Sequence, residues 1–374
     1  MLLVCLIYRG LAVLIAIIIE NVYKFVKVTY FILLSLSVTP IFAQQKVENH
    51  SRHKHLSVLP VPTFGYTPET RFYFGAACLF SKKLDTGAIR WSNAKIEFSY
   101  TLRKQIIGEI GWNAYLPKES YFTSGKAHFS YFPDYFWGNS LALERENPLI
   151  FSTRRNTIEA QLLRRTGQKP LFLGLGIRGV RYASLKPLRG DSSLMAELSP
   201  VSAIGIPAPS LLYDSRNNPL NADSGFYSLF QAHPMLGTAG FYIKSTLDVR
   251  KYFRIKRSAI ALRSKTVYSS GPTLDAVAFG GDENARGFYQ GILRAPFMST
   301  LQVEWRLQLL KRWGWAFFAG ESAIANQTRT LYAWNAGTGL RFLVDRQAHI
   351  NLRMDMAWGQ GGNSGFYVAF GESF

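Results

Sequence analysis

Polar and apolar residues take turns along much of the chain, at the two-residue period of a β-strand whose faces meet different surroundings. The segment 301–309 sets Leu301, Val303, Trp305, Leu307 and Leu309 against Gln302, Glu304, Arg306 and Gln308. Phe241, Ile243, Leu247 and Val249 likewise oppose Lys244, Thr246, Asp248 and Arg250, while Ile350, Leu352, Met354 and Met356 oppose Asn351, Arg353 and Asp355. One apolar and one charged face suit a strand standing between lipid and a wet lumen. A strand of a soluble sandwich carries the same alternation, with its apolar face buried. If the strands lie in hydrocarbon they must close into a barrel, because an open sheet edge leaves backbone groups unpaired.

The ends of the chain separate these readings. Phe366, Val368 and Phe370 alternate toward a final Phe374, which resembles the terminal strand signal of bacterial outer-membrane barrels; Glu372 interrupts that face and is expected at the interfacial rim. Lys24 and Lys27 precede the apolar run 31–38, and Ile41-Phe42-Ala43 offers a cleavage point before Gln44, the pattern of a secretory signal peptide. The further apolar stretch 1–19 is explained by an over-long gene start or by a retained membrane helix. The expected organisation is therefore a leader at 1–43, a polar periplasmic tail at 44–62 containing Pro60 and Pro62, and a barrel at 63–374, with 71–80 as first strand candidate. Removing the leader leaves 331 residues, enough for about 14–16 membrane strands with their turns. Cys5 falls in the leader and Cys78 stands alone after it, so no internal disulfide is expected.

A net charge of +19 could serve phosphate binding. The export signal argues against nucleic acid, and no nucleic-acid-binding motif is present. The basic residues instead suit an anionic lumen ligand or the phosphates of outer-membrane lipid, including lipopolysaccharide. Neither a Gly-x-Ser-x-Gly elbow nor a His-Glu-x-x-His pair occurs, so no catalytic residue, cofactor or metal is assigned and the protein is not expected to be an enzyme. His50, His53 and His55 lie in the polar tail and read as solvated. Between Phe279 and Arg294, a glycine-punctuated segment centres on Arg286-Gly287-Phe288. A cationic loop needs an enclosed acidic partner, and Glu304 on the polar face of the next strand is the nearest candidate.

Four motifs then occur in order across 214–374. They are the Asp214-x-Arg216 turn running to Pro219 and Gly225, the Gly280-Gly281…Arg286-Gly287-Phe288 loop, the pair Gly337-x-Gly339-x-Arg341 and Asn351-x-Arg353-x-Asp355-x-Ala357-x-Gly359, and the aromatic terminal strand. Together they resemble the barrel of the outer-membrane protein assembly superfamily, or bacterial surface antigen family, which includes BamA, TamA and the two-partner secretion transporters. The resemblance implies an all-β, transmembrane antiparallel barrel of 16 strands in the bacterial outer membrane. It also implies a loop folded into the lumen, with Arg286 docked on Glu304 and Asp355, Gly287 allowing the close turn and Phe288 packing on the wall. Insertion, assembly or translocation of proteins or lipid-linked cargo is the implied function, carried out by a monomer whose partners are nascent outer-membrane proteins or a periplasmic protein. Family members that insert or secrete proteins carry periplasmic repeat domains, and none fits in 44–62. A passive solute channel or structural surface antigen is the alternative, and an outer-membrane enzyme a more distant one.

Overall fold

A computed structural model describes residues 57–82, 84, 92–143, 147–219, 221–345 and 349–374. Strands β1 to β7 run Ser57–Thr67, Arg71–Lys82, Ser92–Thr101, Ile106–Tyr115, Tyr121–Phe136, Leu149–Arg165 and Leu171–Arg189. Strand β8 is interrupted, with one piece at Val201–Gly205 and the other at Ala208–Asp214, and both pieces pair with β7. Then follow β9 (Gly225–Gly237), β10 (Gly240–Ile255), β11 (Ser258–Ser269), β12 (Phe297–Gln308), β13 (Trp313–Ala325), β14 (Thr330–Asp345), β15 (Ile350–Gly359) and β16 (Ser364–Phe370). Each strand pairs antiparallel with its sequence neighbours and β16 returns to β1, which gives a closed 16-stranded barrel. The start of β1 and the end of β16 therefore share one end, called here the terminal end, and the β11–β12 connection belongs to the other, the loop end. No described helix is long and apolar enough to cross a membrane.

The side-chain alternation sorts into an outer and an inner wall. On β12, Leu301 is 61% exposed and Trp305 46%, whereas Glu304 between them is 0% exposed. Phe72, Phe74, Phe98, Phe129, Leu162, Leu175, Ile204 and Phe241 also face outward and are exposed. An apolar belt outside and charge inside is the arrangement lipid demands, and it excludes the sandwich reading. The charged interior is capped by apolar clusters. Phe136, Phe151, Val180, Tyr182 and Met235 form one, Tyr115, Phe122, Leu163, Phe172 and Leu212 another.

The first strand begins six residues before the boundary expected for the barrel, because Pro60 and Pro62 do not break it. Leu102 donates its N–H to Phe72 O, so Phe72 directs its backbone toward β3. Tyr66 stands opposite Phe72, and its own backbone groups therefore point away from β2, toward β16. Pro60 and Pro62 share that parity, so the N–H groups they lack would have faced β16 rather than the β1–β2 ladder, a position proline tolerates. That ladder runs without a break from Ser57↔Ser81 to Thr67↔Arg71. Across the seam, β1 and β16 register only at Tyr66↔Val368. The expected leader and the tail up to residue 56, with His50, His53 and His55, lie outside the described residues.

The chain also departs from expectation after β16. Gly371 adopts φ 85° and turns the backbone, its N–H reaching Asn351 O. Glu372 consequently lies inside the barrel instead of at the rim, and Phe374 packs inward against Ala222, Tyr252 and Ala261 instead of extending the outer face of Phe366, Val368 and Phe370. The reason is electrostatic: Arg306 and Arg341 inside supply partners that a lipid rim does not.

Candidate functional site

Residues 270–296 connect β11 to β12 and carry structure of their own. A short 3-10 turn at Thr273–Asp275 leads into a two-stranded hairpin, Val277–Phe279 against Leu293–Ala295. Its tip is closed by Gly281 N–H to Phe288 O at 2.9 Å and Ala285 N–H to Gly281 O at 3.1 Å. Phe279, Ala285, Phe288, Ile292 and Leu293 make an apolar kernel that packs on Val267, Met298, Ile324 and Ala333 of the inner wall.

At the tip Arg286 is 1% exposed. Its Nη2 lies 2.5 Å from Glu304 Oε2 on β12 and its Nη1 2.6 Å from Asp355 Oδ2 on β15. The guanidinium stacks on Phe318 of β13, 3.4 Å from the ring centroid. Neither carboxylate depends on Arg286 alone. Glu304 also accepts from Arg306 at 2.8 Å and Arg341 at 3.5 Å, and Asp355 from Arg341 at 2.5 Å and Arg353 at 2.9 Å. Glu372 accepts from Arg341 at 2.9 Å, and Asp282 of the loop pairs with Arg353. Arg286, Arg306, Arg341 and Arg353 are thus balanced by Glu304, Asp355, Glu372 and Asp282. A buried charge is tolerable when it is paired and hydrogen-bonded, and this set is both.

Small residues on the wall make room for the loop. A Cβ on Gly359 would come within 2.6 Å of the Phe288 ring, and one on Gly339 within van der Waals overlap of the Asp355 carboxylate. Gly287 has φ 103° and lies so close to Trp358 that a Cβ would fall 3.0 Å from its carbonyl carbon; its N–H donates to Tyr367 Oη at 2.9 Å. Only glycine combines that backbone conformation with that approach.

Three further contacts tie the loop to distant strands. Asp275 is held by Arg178 of β7 through two bonds of 2.6 and 2.7 Å, by Tyr242 Oη at 3.0 Å and by Lys244 Nζ at 3.2 Å. Burial pushes its carboxyl up, but Lys244 and Arg178 outweigh burial and hold it at about 2. Asp134 on β5 accepts from Tyr289 and Arg294, and Glu69 in the β1–β2 turn accepts Gln290 N–H at 2.6 Å. Loop residues therefore meet wall residues on both sides of the lumen. The other motif residues are placed as follows. Asp214 ends β8 and takes two bonds from the Arg216 side chain, Arg216 reaches Pro219 O at 3.2 Å, and Gly225 opens β9 with φ 110°. The sequence does not single out Phe318, Tyr367, Asp282, Asp275 or Arg178, and it names Arg306 only in a strand alternation and Arg341 and Arg353 only within the strand-pair motif, without a shared role. For Phe318, Tyr367, Arg178 and Arg306 the available signal is inward parity on a strand, whereas Asp275 and Asp282 lie in the β11–β12 connection, where no such parity exists.

A closed antiparallel barrel, apolar outside and charged inside, defines a transmembrane β-barrel protein of the bacterial outer membrane. Residues 208–374, from the second piece of β8 through β16, match the model of the Omp85 superfamily domain. The fold is similar to that of BamA from Haemophilus ducreyi lacking POTRA domains 1–3, at 12% identity and TM-score 0.52, covering 85% of this chain and 70% of that one. It is also similar to CdiB from Acinetobacter baumannii, at 13% identity and TM-score 0.54, covering 89% of this chain and 64% of that one, and to CdiB from Escherichia coli, at 10% identity and TM-score 0.50, covering 85% and 67%. No curated protein sequence matches the chain.

Proposed function

We propose that this barrel inserts or translocates protein chains at the bacterial outer membrane, using the β1–β16 seam as its working edge and the Arg286 loop as a lock on the lumen. The single observation that carries the reading is the seam. Neighbouring strands elsewhere are joined by long ladders, yet β1 and β16 meet in register only at Tyr66↔Val368. An edge left largely unpaired is what a guest strand requires to add by β-augmentation. The Omp85 domain and the BamA-like and CdiB-like fold support the same class of activity.

The solute-channel alternative is disfavoured by the loop, since its kernel and its ion pairs occupy the space a pore would need. A photo-reactive residue at Val368 in intact cells tests the proposal. Adducts with nascent outer-membrane proteins or with a periplasmic partner are the expected result. Crosslinks confined to the protein's own β1 would overturn it and leave a closed barrel.

A further inference from the structure

On β6 and β7 the outer wall turns basic where the apolar belt ends. Ile158 and Leu162 of β6 and Leu173, Leu175 and Ile177 of β7 are exposed to the outside. Four residues beyond Ile158 and Ile177 toward the loop end, and on the same face, stand Arg154 and Arg181, both exposed. Arg154 lies opposite Ala183 and Arg181 opposite Asn156, which makes the arginines diagonal neighbours about 7–8 Å apart. Beyond the register shift at Ser184, Lys186 stands opposite Ser152 and is exposed too.

Acids of these and neighbouring strands are engaged elsewhere: Glu159 with Arg178, and Asp134 with Arg294. Among the described residues, no carboxylate is paired with Arg154, Arg181 or Lys186. The same end of β13 and β14 is different, showing Tyr332, Trp334 and Glu321 outward. Most other exposed basic residues, such as Lys256, Arg257, Lys311 and Arg312, lie at or beside turns in water. Arg154 and Arg181 instead sit on the strand wall. From Arg164, exposed on the same face, to Arg154 the strand climbs ten residues, about 33 Å along its axis and about 25 Å along the membrane normal at a tilt of about 40°, the height of the apolar belt. Guanidinium groups at that height meet lipid head groups, and their forked donors match phosphate oxygens.

We propose that Arg154 and Arg181, assisted by Lys186, bind the phosphorylated head group of an outer-membrane lipid on the outer wall. The proposal needs neither the seam nor the loop lock to be correct. Native mass spectrometry of the purified full chain in neutral detergent tests it, with bisphosphorylated lipid A, fully dephosphorylated lipid A and inorganic phosphate as probes. Wild type should retain the bisphosphorylated lipid, and R154Q/R181Q should lose that retention at least tenfold. K256Q/R257Q, at the terminal end, should retain it unchanged. Folding of each variant is read from heat-modifiable gel mobility, and the single variants R154Q and R181Q, each with a partial loss, replace the double variant if it does not fold. Undiminished retention by these variants, or equal retention of dephosphorylated lipid A, would overturn the site. Displacement of the lipid by millimolar inorganic phosphate would overturn the lipid as its ligand.

Discussion

Replacing Arg286 with Ala should release the loop, and the size of the effect follows from what remains. Arg286 makes two charge-assisted bonds, to Glu304 and Asp355, and one stacking contact with Phe318. Removing one member of a buried ion pair costs about 3–5 kcal/mol when its partner is stranded. Here Glu304 keeps Arg306 and Arg341 while Asp355 keeps Arg341 and Arg353, so the low end of that range applies, about 3 kcal/mol. At about 1.4 kcal/mol per decade, that loss raises the population of released loop by roughly 100-fold. The variant leaves the cluster with one carboxylate in excess, and Arg286→Ala combined with Asp355→Asn restores neutrality. The double variant should therefore recover part of the loss instead of adding to it. Planar-bilayer conductance reads loop release as more frequent large openings, and the temperature at which the folded band unfolds in heat-modifiability gels should fall in parallel. Wild-type conductance together with a wild-type transition in Arg286→Ala would refute the lock.

Gly359→Leu drives a side chain into the space of the Phe288 ring and should produce the same openings with the ion pairs intact. Acid should weaken the Asp275 anchor. Its carboxyl is depressed from 3.8 to about 2, so the stability it contributes is present above pH 3.8 and is lost as pH falls toward 2. Conductance of Asp275→Asn should accordingly resemble that of acidified wild type already at pH 7, and wild-type behaviour of the variant at pH 7 would contradict the anchor. Cysteines at Tyr66 and Val368, in a Cys78→Ser background, should form a disulfide across the seam on oxidation and stop strand insertion into reconstituted vesicles until reduced. Persistent insertion by the oxidised form would argue that the seam is not the working edge.

Strand alternation alone sorts inner from outer residues in 241–250, 301–309 and 350–356. The pairing of Arg286 with Glu304 was suggested by parity on a neighbouring strand. Asp355 entered through family resemblance, because nothing local links residues 286 and 355. Arg306 is visible only as a charge on an inward face, and Arg341 and Arg353 only as members of the strand-pair motif. Their shared role depends on the register of β12 to β15, which spacing along the chain does not encode. The two clear misreadings share a cause. Proline at 60 and 62 signals a break only if a strand is fully paired on both sides, and Glu372 signals a rim only if its strand runs straight on; β1 is fully paired on one side alone, and the chain turns inward at Gly371 after β16.

The proline rings of β1 carry a consequence for how the molecule avoids its own kind. A membrane protein with an unpaired strand edge is a template for any passing strand, including that of an identical neighbour. Pro60 and Pro62 remove two of the three donors from the lower half of that edge, while Val58, Phe64 and Tyr66 keep theirs. Consecutive donors are thereby confined to a short stretch near the loop end, where Tyr66 meets Val368, and a ladder running farther down the edge meets two missing hydrogen bonds. The seam is selective by subtraction: two missing hydrogens set how far an association can run before it has to let go.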